Sequence, residues 1–171
     1  MPGVYDKFGV KFLYPENWTI TDEEAEDWPK AVTVQSPQGG FWTLHIYEGG
    51  VNISQLVREA VEALRVEYAD LEAEELLQPE DGTDYGYDVN FYYLDLIVTA
   101  QVRGVLLPGK ALLWLTQAES REFDEYEPVF RVITMSLLGK VPMPASESTA
   151  IDSTATSTGG EHEDEQDEHE E

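Results

Sequence analysis

No cysteine occurs among the 171 residues, which removes disulfides, thiolate nucleophiles, Fe–S clusters and Cys-bound zinc by inventory. Histidine is nearly as scarce, with three copies. Basic residues are few as well: Lys and Arg number 10 against 35 Asp and Glu, a formal charge of −25. A field of that sign repels phosphate backbones and anionic headgroups, so neither nucleic acid nor a membrane is expected as a partner. No run approaches the ~20 apolar residues of a membrane helix. The opening MPGVYDKFGVKFLYPENW lacks the basic n-region and apolar h-region of a secretory signal. A soluble, cytoplasmic chain is therefore expected. There is no repeat of twenty residues or more, and the length suits a single core.

What is present divides near Val141. Residues 1–140 carry 25 acidic and 10 basic side chains and 41 of the 43 Val, Ile, Leu and Phe residues; residues 141–171 carry ten acids, no Lys or Arg, and only Val141 and Ile151 of that apolar set. The second part has too little apolar area to offset the entropy of ordering its backbone. We expect a folded domain over 1–140 and a disordered tail over 141–171, in which a Ser/Thr/Pro/Gly linker leads into the acid run EHEDEQDEHEE. His162 and His169 among those acids invite a metal reading, but a mobile strand supplies no fixed ligand geometry, so the run is read as a solvating tail.

Within residues 1–140 the patterns point to an α+β fold. Val4 to Tyr14 reads as one strand ended by Pro15, which lacks a ladder donor. An acidic loop, TDEEAEDWP, precedes a short β-branched run, Ala31–Val34; Gly39-Gly40 turns the chain into Phe41–Tyr47, completing a hairpin. Asn52 and Gln55 have the spacing of a reciprocal capping box. They open a helix whose Leu56, Val57, Ala60, Val61, Leu64 and Tyr68 recur at three and four residues. Glu72–Leu77 reads as an edge strand, and Asp81-Gly82 as a turn. Tyr85–Tyr93, Leu96–Leu107 and Lys110–Ala118 form a meander, with Pro108-Gly109 as a type II turn. A last helix is expected over about 125–138, with Pro128 in its first turn, Val129, Val132, Ile133, Ser136 and Leu137 on its inner face, and Gly139 at C′. Two helices are too few for a doubly wound parallel sheet, so they are expected to cover one antiparallel sheet.

No motif names a reaction. G-x-S-x-G and a phosphate-binding glycine loop are absent. The acids at Asp22, Glu23, Glu24, Glu26 and Asp27, and at Asp81, Asp84 and Asp88, lack EF-hand spacing and read as solvated loop charge. No cofactor, no metal ligand and no catalytic residue is assigned. The polar strand positions His45, Asn90, Gln101 and Arg103 are the candidate binding residues, which share one sheet face if the strand registers agree. The plainer reading of His45 is a packed sheet residue, and of most of the aromatics, core.

Phe8-Gly-Val-Lys-Phe-Leu-Tyr-Pro-Glu-Asn-Trp18 resembles the opening of the Mog/PsbP-like proteins and their DcrB-type bacterial relatives, and Tyr126-Glu-Pro-Val-Phe-Arg-Val-Ile-Thr-Met-Ser-Leu137 resembles the family's final helix. The resemblance spans roughly 5–138 and rests more on the order of elements than on rare residues. It implies an α/β/α sandwich around an antiparallel sheet. Members of the family serve as an extrinsic photosystem subunit, as a nucleotide-release partner of a small GTPase, and in undefined bacterial roles, none of which requires catalytic residues. Fold alone transfers no partner.

The expected function is thus a non-enzymatic interaction module for a protein partner; the alternative is a small-molecule-binding protein or enzyme with a pocket between the sheet and the final helix. Oligomeric state is left open. Deleting residues 141–171 should leave the melting temperature unchanged; a drop of several degrees would show that the tail docks on the domain.

Overall fold

The computed structural model describes residues 1–23, 26–76 and 85–143. Seven strands make one sheet, entirely antiparallel, in the order β3(Thr19–Glu23), β4(Lys30–Gln35), β5(Phe41–Glu48), β9(Lys110–Glu119), β8(Leu96–Leu107), β7(Tyr85–Tyr93) and β6(Glu72–Glu75). Helix α1(Ile53–Glu67) follows β5 and packs on one face of β7, β8 and β9. Helix α2(Ser120–Leu137) follows β9 and covers the opposite face together with a separate hairpin, β1(Gly3–Lys7) and β2(Val10–Tyr14). The architecture is the expected α/β/α sandwich.

Each face has its own core, as alternation along the strands requires. On the α2 side Trp42, Leu44, Ile46, Leu112 and Trp114 meet Phe12 of the hairpin and Phe123, Phe130 and Ile133 of the helix. On the α1 side Val57, Val61 and Leu71 meet Val89, Phe91, Val98, Ala100 and Val102. The hairpin layer is joined to α2 by Ser136, whose Oγ accepts from Leu13 N–H at 2.8 Å and donates to the Ile133 carbonyl.

Several expectations are corrected. The opening segment is two strands, because Phe8 and Gly9 both adopt positive φ (55° and 76°) and reverse the chain in a two-residue turn. Thr19–Glu23, read as leading into a loop, pairs with β4 as an edge strand. Asn52 caps α1 by accepting from Gln55 N–H at 3.1 Å, but the Gln55 side chain donates to Glu59 rather than back to the cap, so the box is half formed. Helix α2 begins five residues early, which places Pro128 inside it rather than in its first turn. The gain is burial of Phe123 against Phe130, which outweighs the one backbone hydrogen bond that Pro128 cannot donate. Val132, expected on the inner face, is exposed, and Phe130 takes that place. The helix ends as expected: Gly139 has φ 71°, and Lys140 and Gly139 N–H bond back to the Met135 and Ser136 carbonyls in a Schellman arrangement. Gly109 likewise has the positive φ (77°) expected after Pro108. Asp81-Gly82 and residues 144–171 lie outside the described residues.

Close approach of α1 to the sheet depends on Gly104, where a Cβ would stand 2.7 Å from Val57 Cγ2 and 2.8 Å from Ile53 Cδ1. Gly104→Ala should cost ~1–3 kcal/mol by overpacking, measured by urea unfolding. Combined with Val57→Ala it should cost less than the sum of the two single changes; strict additivity would show that the helix does not press on this glycine.

Candidate functional site

Strand register decides which candidate residues meet. Asn90 pairs with Thr99, Asp88 with Gln101, and Gly86 with Arg103, so Asn90, Gln101 and Arg103 all point toward α2. His45 pairs with Leu113, which pairs with Gly104 of the α1 face. His45 is therefore on the opposite side of the sheet, and the shared face expected for all four residues does not form. It sits half-buried between Ala31 and Leu113, where burial holds its pKa below the ordinary histidine value, against an opposing pull from Glu23. Asn90 shares the face of Gln101 and Arg103 but is exposed and only accepts a hydrogen bond from the Thr99 hydroxyl, at 2.8 Å. Gln101 and Arg103 remain together, lining a groove between β8, β9 and α2.

Arg103 lies flat across β7. Its side chain is only 14% exposed; Nη2 donates to Asp88 Oδ1 at 2.6 Å and Nη1 to the Tyr87 carbonyl at 2.7 Å. This course needs Gly86 beneath it, since a Cβ there would come within 2.6 Å of Arg103 Cδ and 2.3 Å of the Val102 carbonyl oxygen. Two of the acids weighed as a calcium site, Asp22 and Asp88, are engaged elsewhere. Asp22 accepts from Lys7 at 3.1 Å and from the Tyr5 hydroxyl at 3.0 Å, which hold its pKa below the carboxylate range, and Asp88 is held by Arg103. Glu24, Asp81 and Asp84 lie outside the described residues. Among the described residues no three His, Asp or Glu side chains gather as metal ligands, and no helix is long and apolar enough to cross a membrane.

A second surface lies at the tip of β7–β8. Phe91 and Val98 are buried, but beyond them Tyr92, Tyr93, Leu96 and Ile97 are exposed, and Leu94 at the turn is 78% exposed. The ribbon is thus apolar on both faces where it outruns the helices. Its turn is Leu94-Asp95, with φ 47° and 64°. A two-residue turn of this kind favours Asn-Gly, because both central residues adopt positive φ, and a leucine there carries a penalty of ~1–2 kcal/mol. Tyr68 at the end of α1 stacks on Phe91 and meets Tyr93 edge-on, bracing one side of the ribbon.

No family model and no curated protein sequence matches the chain. Solved structures do. The solution structure of cyanobacterial PsbP (CyanoP) from Synechocystis sp. PCC 6803 superposes with a TM-score of 0.55 at 17% identity, covering 79% of this chain and 90% of that one. The crystal structure of PA94 from Pseudomonas aeruginosa, a protein of unknown function, has a TM-score of 0.46 at 12% identity, covering 84% of this chain and 98% of that one. The PsbP likeness shows the fold and nothing finer.

The apolar tip is hard to read in the sequence because aromatics at a strand end have the same pattern as core aromatics. The available signal was a two-residue connection with neither Gly nor Asn, flanked by Tyr-Tyr and Leu-Ile. For His45 the sign of the pH effect follows from burial. The unfolded chain takes up the proton near the ordinary histidine value of 6.5 and the folded chain only at lower pH, so stability falls as pH drops from about 6.5 toward the folded pKa. His45→Gln should reduce that decline by at most ~1.4 kcal/mol per pH unit, measured by chemical denaturation between pH 7 and 5; identical slopes would show that His45 titrates normally.

Proposed function

We propose that the domain is a non-catalytic docking module of the Mog/PsbP-like kind that binds a protein partner through the β7–β8 tip. The observation that carries this reading is the solvent-facing group Tyr92, Tyr93, Leu94, Leu96 and Ile97 on a turn whose backbone conformation a leucine disfavours. Strain of this sort persists where a side chain is needed for something other than stability. Tyrosines supply large, rigid contact area at low entropic cost.

Charge narrows the occupant. Asp95 is in the turn, Glu119 pairs with Val98, Glu72 pairs with Asn90, and Glu67 and Asp70 flank Tyr68. This acidic surround disfavours a second copy of the same chain and an anionic bilayer, and suits an apolar cleft rimmed by Lys and Arg.

Replacing Leu94-Asp95 by Asn-Gly should raise stability by ~1–2 kcal/mol as the turn strain is relieved. A photo-crosslinking residue at position 94 should trap a protein that a control at Leu106, exposed near the other end of β8, does not trap. The trapped protein, once purified, should bind the wild-type domain with an affinity that falls with salt and should lose it to the Asn-Gly variant. Equal trapping at both positions, binding unchanged in the variant, self-association abolished by the variant, or adsorption to anionic vesicles through the tip would each overturn the proposal.

A further inference from the structure

A different part of the molecule carries a second site. The groove between α2 and the β8–β9 ribbon, half open to solvent, has a volume of about 240 Å³, roughly that of eight liquid waters. Three of the chain's ten cations line it, Arg103 from the sheet, Arg131 from α2 and Lys140 from the helix cap, although acids outnumber cations 35 to 10 overall. Its floor is the buried pair Trp114 and Phe130.

The decisive atom is Thr116 Oγ1. Thr116 is 2% exposed and lines this groove, and its hydroxyl oxygen is buried with no hydrogen-bond partner among the described residues. A buried, unmade hydrogen bond destabilises the fold, and valine would fill the same space without it. Gln101, its cross-strand neighbour, also lines the groove and has side-chain amide donors. Thr116 thus brings a buried hydroxyl and half-buried Gln101 an amide to the lining, while Arg131 and Lys140 lie on more exposed chain.

The opposing charges are Glu127, which pairs with Arg131 one turn away, and Asp88, which is occupied by Arg103. Lys140 has no polar side-chain partner among the described residues, and the Schellman cap fixes its backbone beside the groove. The arrangement of hydroxyl and amide donors, cations and an aromatic floor matches a carboxylate joined to a small apolar body.

We infer that the groove between α2 and the sheet is a binding site for a small organic carboxylate, held by Thr116, Gln101, Arg131 and Lys140 against Trp114. This site is independent of the β7–β8 tip, and neither depends on the other.

The test uses the full chain with benzoate as probe and benzamide as its uncharged counterpart, followed by proton–nitrogen NMR. Benzoate should shift the Thr116 and Gln101 amides and the Trp114 indole N–H in a saturable way, and benzamide should not. Arg131→Gln with Lys140→Gln, both away from the core, should weaken benzoate at least tenfold. Thr116→Val should weaken it several-fold while the melting temperature holds or rises, a combination that a merely structural threonine would not give. No saturable shift at these residues, equal binding of benzamide, inorganic phosphate binding as tightly as benzoate, or unchanged affinity in all the variants would overturn the inference.

Discussion

The pairing of β5 with β9 is the contact on which everything else rests. These strands are distant in sequence, and their antiparallel register of Phe41 with Gln117 through Glu48 with Lys110 joins the β3–β4–β5 meander to the β6–β9 half of the sheet. It also fixes parity. Because side chains alternate, one residue of slippage would exchange the two cores, sending Trp42, Leu44 and Ile46 toward α1 and Thr43, His45 and Tyr47 into the packing beneath α2. Burial holds the register: Trp42 and Leu44 are completely enclosed, and the Trp42 indole N–H donates to Thr134 of α2 at 3.0 Å. The same parity brings Gln101, Arg103, Trp114 and Thr116 to one side and leaves His45 on the other.

Local patterns in the sequence were sufficient for much of the architecture. The three long strands of the meander, the stripe of α1 and the stop at Gly139 all declare themselves within a dozen residues, through alternation, helical spacing or a glycine. The failures share a cause, which is that they were decided by contacts far along the chain. Pro128 looked like a helix start until Phe123 packed on Phe130 across it. Val4–Tyr14 looked continuous because Phe8 is an unusual residue for a positive φ. The sequence cannot separate His45 from Asn90, Gln101 and Arg103, because alternation within each strand is visible in it while the register between strands is not. Thr116 was legible in principle as the one polar residue in the inward series Leu112, Trp114, Thr116 and Ala118. The roles of Arg131 and Lys140 emerge only once α2 is laid on the sheet.

The two surfaces singled out differ in their relation to the fold's energetics. At the β7–β8 tip the departure from an ideal sequence is conformational: a turn that favours asparagine and glycine holds leucine and aspartate. In the groove it is chemical, a hydroxyl without a partner in a wall that valine could complete. Neither departure strengthens the folded state, and a sequence shaped by stability alone would have neither. The electrostatic setting sharpens the contrast, because the tip extends the acidic character of the whole molecule while the groove concentrates a good part of its scarce positive charge.

The two outer strands have a consequence for assembly. β3 ends in Asp22-Glu23, and β6 reads Glu-Ala-Glu-Glu. Both are short, and among the described residues each leaves one row of backbone donors and acceptors without a ladder partner. An antiparallel meeting of two β6 borders from separate molecules would set Glu72 opposite Glu75, a like-charge contact that opposes main-chain bonding. The β6 border of the sheet is therefore guarded against edge-to-edge growth by its own side chains.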